Sequence, residues 1–329
     1  QQTKKMNILI TGVAGFIGFH CVKKLLNTKN NYNLIGVDNL NNYYDSKLKK
    51  DRLKILKKFS KFNFYQLDIC DNKRIEKLFK KHKIHIVINL AASAGVRYSL
   101  TNPEPYFNNN ISGFFNILNL CVKYKINHLL FASSSSVYGN SNKFPLKEDD
   151  ETSKPLSFYA ASKKCNEVMA YSYSNIYNLS CTGLRFFTVY GEFGRPDMAL
   201  FKFSNNIMLN KKIELFNKGK HVRDFTYIND VVDQIYKLIK KPSKKNIPYQ
   251  IYNIASSNPV ALKKFVQFIE SALKKKGRYK LLKMQPGDVE KTFASTDKVK
   301  YVTKLNNVSN LKKGIDSYIK WFKKYYFNQ

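Results

Sequence analysis

Long uninterrupted apolar runs are missing from this sequence. No stretch approaches the roughly 18 to 20 apolar residues that a helix needs to cross a bilayer, so no membrane insertion is expected. The N-terminus lacks the charged, apolar and small-residue zones of a secretory leader, and a cytoplasmic location is the default expectation. Cysteine occurs only at Cys21, Cys70, Cys121, Cys165 and Cys181, an odd and scattered set without a C-x-x-C pair. That spacing argues against thiol exchange or a cysteine zinc site and predicts buried thiols. Histidine is equally sparse. His82 and His85 come closest to a metal spacing, but they lie in a lysine-rich stretch with no cysteine or carboxylate pair nearby, so no metal is expected.

Acidic residues are few, 23 against 57 basic ones, which leaves a net charge of +34. A basic excess of this size is the usual footprint of a nucleic-acid or anionic-membrane partner. Arginine is scarce as well, confined to Arg52, Arg74, Arg97, Arg185, Arg195, Arg223 and Arg278, and the lysines are dispersed along the chain. A reader of nucleic acid needs clustered arginines or aromatic platforms on one element, so no nucleic-acid partner is expected. The diffuse positive field favours an anionic substrate instead.

What the sequence does have is a core-building composition, 43% apolar and 14% aromatic over 329 residues, enough for two lobes. Short apolar runs at 6–10, 34–37, 62–67 and 84–90 alternate with helix-like segments. A helix over 111–124, a strand at 128–132, a helix over 160–177 and a strand at 179–185 continue the rhythm. Continuous rather than alternating apolar character in the strands predicts a parallel sheet covered on both faces. The fold class expected is α/β, a Rossmann-type doubly wound parallel sheet followed by a smaller mixed α/β substrate-binding lobe. The boundary falls at 187/188, where the rhythm gives way to Gly- and Pro-rich loops, with parts of 225–255 able to pack back on the first domain.

The run T-G-V-A-G-F-I-G follows the first strand and opens a helix. Its glycines, Gly12, Gly15 and Gly18, let the backbone turn tightly and approach a pyrophosphate, whose charge meets the helix N-terminus around Phe16 and Ile17. Asp38 ends the second strand twenty residues past Gly18, where a carboxylate can accept bonds from ribose hydroxyls and repel a 2′-phosphate, which favours NAD over NADP. Asn39 beside it, Asp68 and Ile69, and Ala91 and Ala92 lie at carboxyl ends of strands and complete the candidate cofactor set.

Tyr159 and Lys163, spaced i, i+4, share one helix face. The helix follows a strand whose end carries Ser133 to Ser136. Removing hydride from a carbinol requires a base for the hydroxyl proton, and a free tyrosine is mostly protonated at pH 7, so a neighbouring ammonium and a positive nicotinamide would help to activate it. Ser134 is the candidate to hold the reacting oxygen.

With these residues placed, the sequence resembles the extended short-chain dehydrogenase/reductases of the NAD-dependent epimerase/dehydratase family, and within them the UDP-glucuronate 4-epimerases. The resemblance runs nearly end to end. Its motifs are T-G-V-A-G-F-I-G (11–18), V-D-N-L-N-N-Y-Y-D (37–45), L-A-A-S-A-G-V-R-Y-S (90–99), A-S-S-S-S-V-Y-G (132–139), Y-A-A-S-K-K (159–164), L-R-F-F-T-V-Y-G-E-F-G-R-P-D-M-A (184–199), R-D-F-T-Y-I-N-D (223–230) and Q-P-G-D-V (285–289). It implies a UDP-sugar substrate and proton loss from its 4-hydroxyl to Tyr159 as hydride passes to a tightly held NAD. The 4-keto sugar then turns over and is reduced on the opposite face. Similar decarboxylases and dehydratases carry acids where this chain has Ser135 and Ser136; with Thr188 these hydroxyls become candidate contacts for a substrate carboxylate. Arg195 and Arg223 resemble uridine and diphosphate ligands, and Asp288 a partner of a ribose hydroxyl or of Arg223. Arg97 could meet either the carboxylate or the diphosphate. Relatives often have Thr at the position of Ser134, a change of packing more than of chemistry. Epimerisation of neutral UDP-hexoses, decarboxylation or 4,6-dehydration, and an inactive NAD-binding scaffold stay open as alternatives. The apolar helices over 111–124 and 160–177 suggest a homodimer.

Overall fold

The computed structural model of the chain describes residues 5–328; residues 1–4, part of the stretch on which the absence of a leader rests, and residue 329 lie outside the described residues. The first half contains β1 (Met6–Thr11), α1 (Phe16–Leu26), β2 (Tyr32–Asp38), α2 (Ser46–Leu56), β3 (Phe62–Gln66), α3 (Asn72–Lys81) and β4 (Ile86–Asn89). It continues with α4 (Val96–Thr101), α5 (Glu104–Tyr106), a π-helical turn over 107–112, α6 (Gly113–Lys123), β5 (His128–Ser134) and α7 (Phe158–Tyr177). Then come β6 (Cys181–Phe186), β7 (Thr188–Tyr190), α8 (Ala199–Met208), β8 (Lys212–Leu215), β9 (Val222–Tyr227), α9 (Ile228–Ile239) and β10 (Tyr249–Ile254). The chain ends through β11 (Pro259–Ala261), α10 (Leu262–Leu273), β12 (Arg278–Leu281), α11 (Asp297–Thr303) and α12 (Leu311–Phe327).

Two compact units emerge. The first takes the chain through Gly139, then Glu151–Arg185 and Val232–Tyr252. Its seven-stranded sheet has the order β10-β6-β5-β4-β1-β2-β3, and β1 runs parallel to both β2 and β4, with Ile8 level with Leu34 on one side and Ile86 on the other. Strand order reverses between β1 and β4, and in open sheets of this kind ligands bind at the carboxyl ends beside such a reversal. The strands read as continuous apolar runs because helices cover both faces: Leu9, Val87, Leu129 and Phe131 are all fully buried, in a core completed by Phe114, Ile117 and Leu118 of α6.

The segment 232–252 is fastened to this unit by a buried polar cluster. Nδ1 of His128 in β5 lies 3.1 Å from the carbonyl of Ile239 and Nε2 lies 2.7 Å from the hydroxyl of Thr182 in β6. Gln250 of β10 donates to the same hydroxyl at 3.0 Å. Burial holds His128 neutral, its pKa lowered to about 4.

The second unit comprises Asn140–Asp150, Phe186–Val231 and the chain from Asn253 onward. Residues 140–150 therefore group differently from the unbroken first domain expected over 1–187. Their backbone partners explain it: the amide of Leu146 donates to the carbonyl of Phe293 at 2.7 Å, and that of Ser295 donates to Leu146 at 2.9 Å. A three-stranded sheet, β11-β9-β7, and a parallel pair, β12-β8, make up its strands. Its core is aromatic, with Phe225 of β9 and Phe265 of α10 stacked at 3.9 Å in a cluster shared with α8 and α12.

Candidate active site

The glycine turn after β1 is held by its own backbone. Gly12 adopts φ +72°, in the left-handed region that favours glycine, and its amide donates to the carbonyl of Val37 at 2.7 Å. A Cβ on Gly12 would sit 2.8 Å from the amide nitrogen of Ala91, and one on Gly18 only 2.1 Å from the carbonyl oxygen of Gly12. Glycine at these positions lets the loop after β4 and the helix α1 close on the turn. Gly15 caps α1 without a side-chain hydrogen bond, an arrangement that suits an anionic group at the first-turn amides of Phe16, Ile17 and Gly18.

Asp38 is buried at the end of β2. Its carboxylate accepts from the amides of Ala14 at 3.0 Å and Leu40 at 2.9 Å. Burial raises its pKa, opposed by those amides and by the charges of Lys49 and Arg52. A carboxylate has about four acceptor positions, so two amides leave capacity for ribose hydroxyls. Asn39 donates to Asp68 at 2.8 Å and the amide of Cys70 does so at the same distance, and these bonds outweigh burial to lower the pKa of Asp68. Ile69 is buried against Gly113, and the amide of Ala91 donates to Thr11 at 3.1 Å. Ala92 lies half-buried beside it. Together these residues form a cradle that fits a dinucleotide: a glycine floor and an acidic end at the β1–β4 reversal.

Sequence reasoning missed two supports of this cradle. Arg52, fully buried on α2, donates to the carbonyl of Ala14 at 2.7 Å and to the Tyr44 hydroxyl at 2.6 Å, which joins the glycine turn to the loop after β2. A lone arginine in a lysine-rich helix was the available signal. Asn110, buried in the π-helical turn, accepts from the amide of Ser93 at 2.7 Å and donates to Ser162 of α7 at 2.9 Å. Turns of this kind recur at functional sites, but no sequence pattern announces one.

Helix α7 starts at Phe158, capped by Ser157, which accepts from the amide of Ala160 at 3.1 Å. Tyr159 thus lies in its first turn, with its amide donating to Ser99 of α4 at 3.2 Å and its ring 6.0 Å from that of Tyr106, edge to face. One turn on, the ammonium of Lys163 donates to the carbonyl of Ala132 in β5 at 3.0 Å. Burial lowers its pKa to about 8. Ser134 closes the same strand; its hydroxyl lies 3.1 Å from that of Ser136, and Ser135 and Ser136 follow half-buried in a single 3₁₀ turn. Arg97 is exposed on α4.

The remaining candidates belong to the second unit. Thr188 begins β7, level with Phe225 of β9. Arg195 pairs with Asp197 of its own loop, Nε to Oδ1 at 2.9 Å. Arg223 donates to the carbonyls of Val289 at 2.7 Å and Glu290 at 2.9 Å, so it meets the backbone just beyond Asp288, whose amide donates to Gln285 at 3.3 Å. His82 and His85 serve local bonds, to the Tyr65 hydroxyl at 2.9 Å and from the amide of Asn7 at 3.1 Å. Among the described residues no group of three or more His, Cys, Asp or Glu could hold a metal ion, and no helix is long and apolar enough to cross a membrane.

Comparison with known proteins sets these observations in context. A probable UDP-glucuronate 4-epimerase of Rhizobium meliloti is 38% identical over 98% of this chain and 98% of its own length. The crystal structure of a UDP-glucuronic acid 4-epimerase from Bacillus cereus, in complex with UDP-glucuronic acid and NAD, superposes with a TM-score of 0.91 and 31% identity over 98% of this chain and all of that one. A UDP-glucose 4-epimerase from Thermotoga maritima gives a TM-score of 0.86 at 28% identity, over 97% of this chain and 99% of its own. The profile of the NAD dependent epimerase/dehydratase family matches residues 8–255, three quarters of the sequence and both the glycine turn and the Tyr159–Lys163 pair, and the chain belongs to that family.

Proposed function

We infer that this enzyme interconverts UDP-glucuronate and UDP-galacturonate by epimerisation at C4, with NAD as a tightly held catalyst. The observation that carries the reading is the end of β5, where Ser134, Ser135 and Ser136 follow the carbonyl to which Lys163 is anchored. In this reading Tyr159 takes the proton of the 4-hydroxyl. Lys163 supplies positive charge where the phenolate forms, and Ser134 holds the reacting oxygen. NAD, when bound, accepts the C4 hydride and returns it to the other face of the sugar. The 4-keto uronate in between is a β-keto acid that loses carbon dioxide readily, so its carboxylate must be held without acid assistance. Ser135, Ser136 and Thr188 offer hydroxyl donors for that task, where acids would repel the group.

The glycine turn with Gly12, Gly15, Phe16, Ile17 and Gly18 would hold the pyrophosphate of NAD, and Asp38, Asn39, Asp68, Ile69, Ala91 and Ala92 its adenosine end. Arg195 and Arg223 are assigned to the uridine diphosphate, Asp288 to a ribose hydroxyl or to Arg223, and Arg97 to the carboxylate or the diphosphate. The unit over 1–187 is read as the NAD-binding domain and 188–329 as the sugar-nucleotide domain. Phe115 on α6 and Val168, Tyr171 and Ile176 on α7 are exposed apolar side chains that support a homodimer through these helices. Light scattering that returned a monomer would remove that assignment. A cytoplasmic setting accords with cysteines that form no disulfide among the described residues.

The decisive experiment is NMR of the product formed from UDP-glucuronate without added reductant. UDP-galacturonate is the expected product. Carbon dioxide release or a stable 4-keto sugar would mark a decarboxylase or dehydratase instead, and turnover confined to UDP-glucose or UDP-N-acetylglucosamine would reject the substrate assignment.

A further inference from the structure

Four residues beyond Lys163 on α7 lies Glu167, which is buried and outside the chemistry just described. Its carboxylate is gripped from two strands. Arg185 of β6, itself buried, donates through Nε to Oε1 at 2.8 Å and through Nη2 to Oε2 at 3.0 Å, the two-pronged contact that fixes the plane of a carboxylate. Ser133 of β5 donates its hydroxyl to Oε1 at 2.6 Å. The ring of Tyr138, just past the serine run, lies 4.7 Å from the Arg185 guanidinium carbon.

A buried ion pair is weak evidence for stability, because desolvating two charges costs about what their attraction returns. Its placement here has a geometric meaning. Tyr159, Lys163 and Glu167 follow one another at intervals of four residues and so form one stripe along α7. Two successive residues of β5 meet that stripe: the carbonyl of Ala132 receives Lys163, and the hydroxyl of Ser133 is received by Glu167. Ser99 and Asn110 already hold α7 to α4 and to the π-helical turn, and against β5 a single tie would leave the helix free to shift about that one point. Two ties a turn apart, about 6 Å along the axis, fix both rotation and register.

We propose that Glu167 is a positioning residue, which, clamped by Arg185, receives Ser133 and sets the register of Tyr159 and Lys163 on α7 against Ser134 at the end of β5. The proposal rests on the reading that these three residues carry the reaction. A displacement of about 1 Å at such a site can cost two orders of magnitude in rate, so a tie adjacent to the reacting groups acts on turnover before it acts on folding.

Four variants of the full-length, NAD-loaded enzyme test this. Ser133→Ala cuts the tie and keeps the charge pair; kcat should fall about tenfold, while KM, retained NAD and the melting temperature stay close to wild type. Ser133→Thr keeps a hydroxyl and should restore most of the rate. Arg185→Lys keeps the charge but loses the fork, and should lower kcat as Ser133→Ala does. Glu167→Gln keeps an acceptor for Ser133 but loses the charge that holds the Arg185 fork, and should lower kcat at least as far as Ser133→Ala does. Unchanged kcat in Ser133→Ala, or a fall matched by equal losses of NAD and thermal stability, overturns the proposal. So does unchanged kcat in Glu167→Gln. Wild-type enzyme that makes no UDP-galacturonate would instead refute the underlying reading.

Discussion

The charged side chains of the candidate site and its supports are placed differently in the two units, although the second unit also buries Asp224 on β9. In the first, Lys163, Glu167, Arg185, Arg52 and Asp38 are all buried on helices or strands, each bonded to backbone or to an opposite charge. In the second, Arg195 sits half-buried in a loop beside Asp197, and Arg223 leans on the carbonyls of the 285–290 loop. Groups assigned to the reacting atoms are mounted on buried helix and strand positions, whereas those assigned to the remote part of the ligand are less deeply set, Arg195 on a loop and Arg223 on β9 against a loop.

That contrast can be broken most severely at the glycine floor. Gly18→Ala places a methyl group 2.1 Å from a backbone oxygen that cannot swing away, so NAD should fail to co-purify and stability should drop by about 2 kcal/mol or more, read by cofactor content and thermal unfolding. Next in size, Tyr159→Phe should cut kcat by about 10²-fold or more with NAD retained; near-normal turnover would dismiss the phenol as the base.

A third expectation sharpens the contrast through pH. His128, with its pKa lowered to about 4, takes up a proton less readily when folded than when unfolded. Its contribution is therefore fully present above pH about 6.5 and is lost as pH falls toward 4, roughly 2 kcal/mol of it between pH 7 and 5. His128→Gln, which cannot be protonated, should flatten that part of a urea-denaturation series; an unaltered slope would remove His128 as its source. The smallest effect belongs to the second unit. Arg223→Ala should raise KM for the UDP-sugar about tenfold and change kcat less, whereas a loss confined to kcat would move Arg223 out of ligand binding.

Much of the first unit could be read from periodicity. The strand–glycine–helix opening, the acid at the end of β2 and the helix bearing Tyr159 and Lys163 were all legible, because each is a local pattern. The partners of those patterns were not. Nothing local joins Ser133 to Glu167, Arg52 to Ala14 or Asn110 to Ser162, since residues 34, 38 and 52 positions apart meet only after the sheet has formed. The grouping of 140–150 with the second unit was hidden for the same reason: its bonds go to residues nearly 150 positions later.

The outermost strand of the first unit comes from residues 249–252, long after the chain has left that unit at Arg185. During synthesis, β6 must therefore wait, with an unpaired edge, until more than sixty further residues have emerged. A fragment ending near residue 187 would keep that edge bare, and it would be prone to clump rather than to serve as a free-standing dinucleotide module.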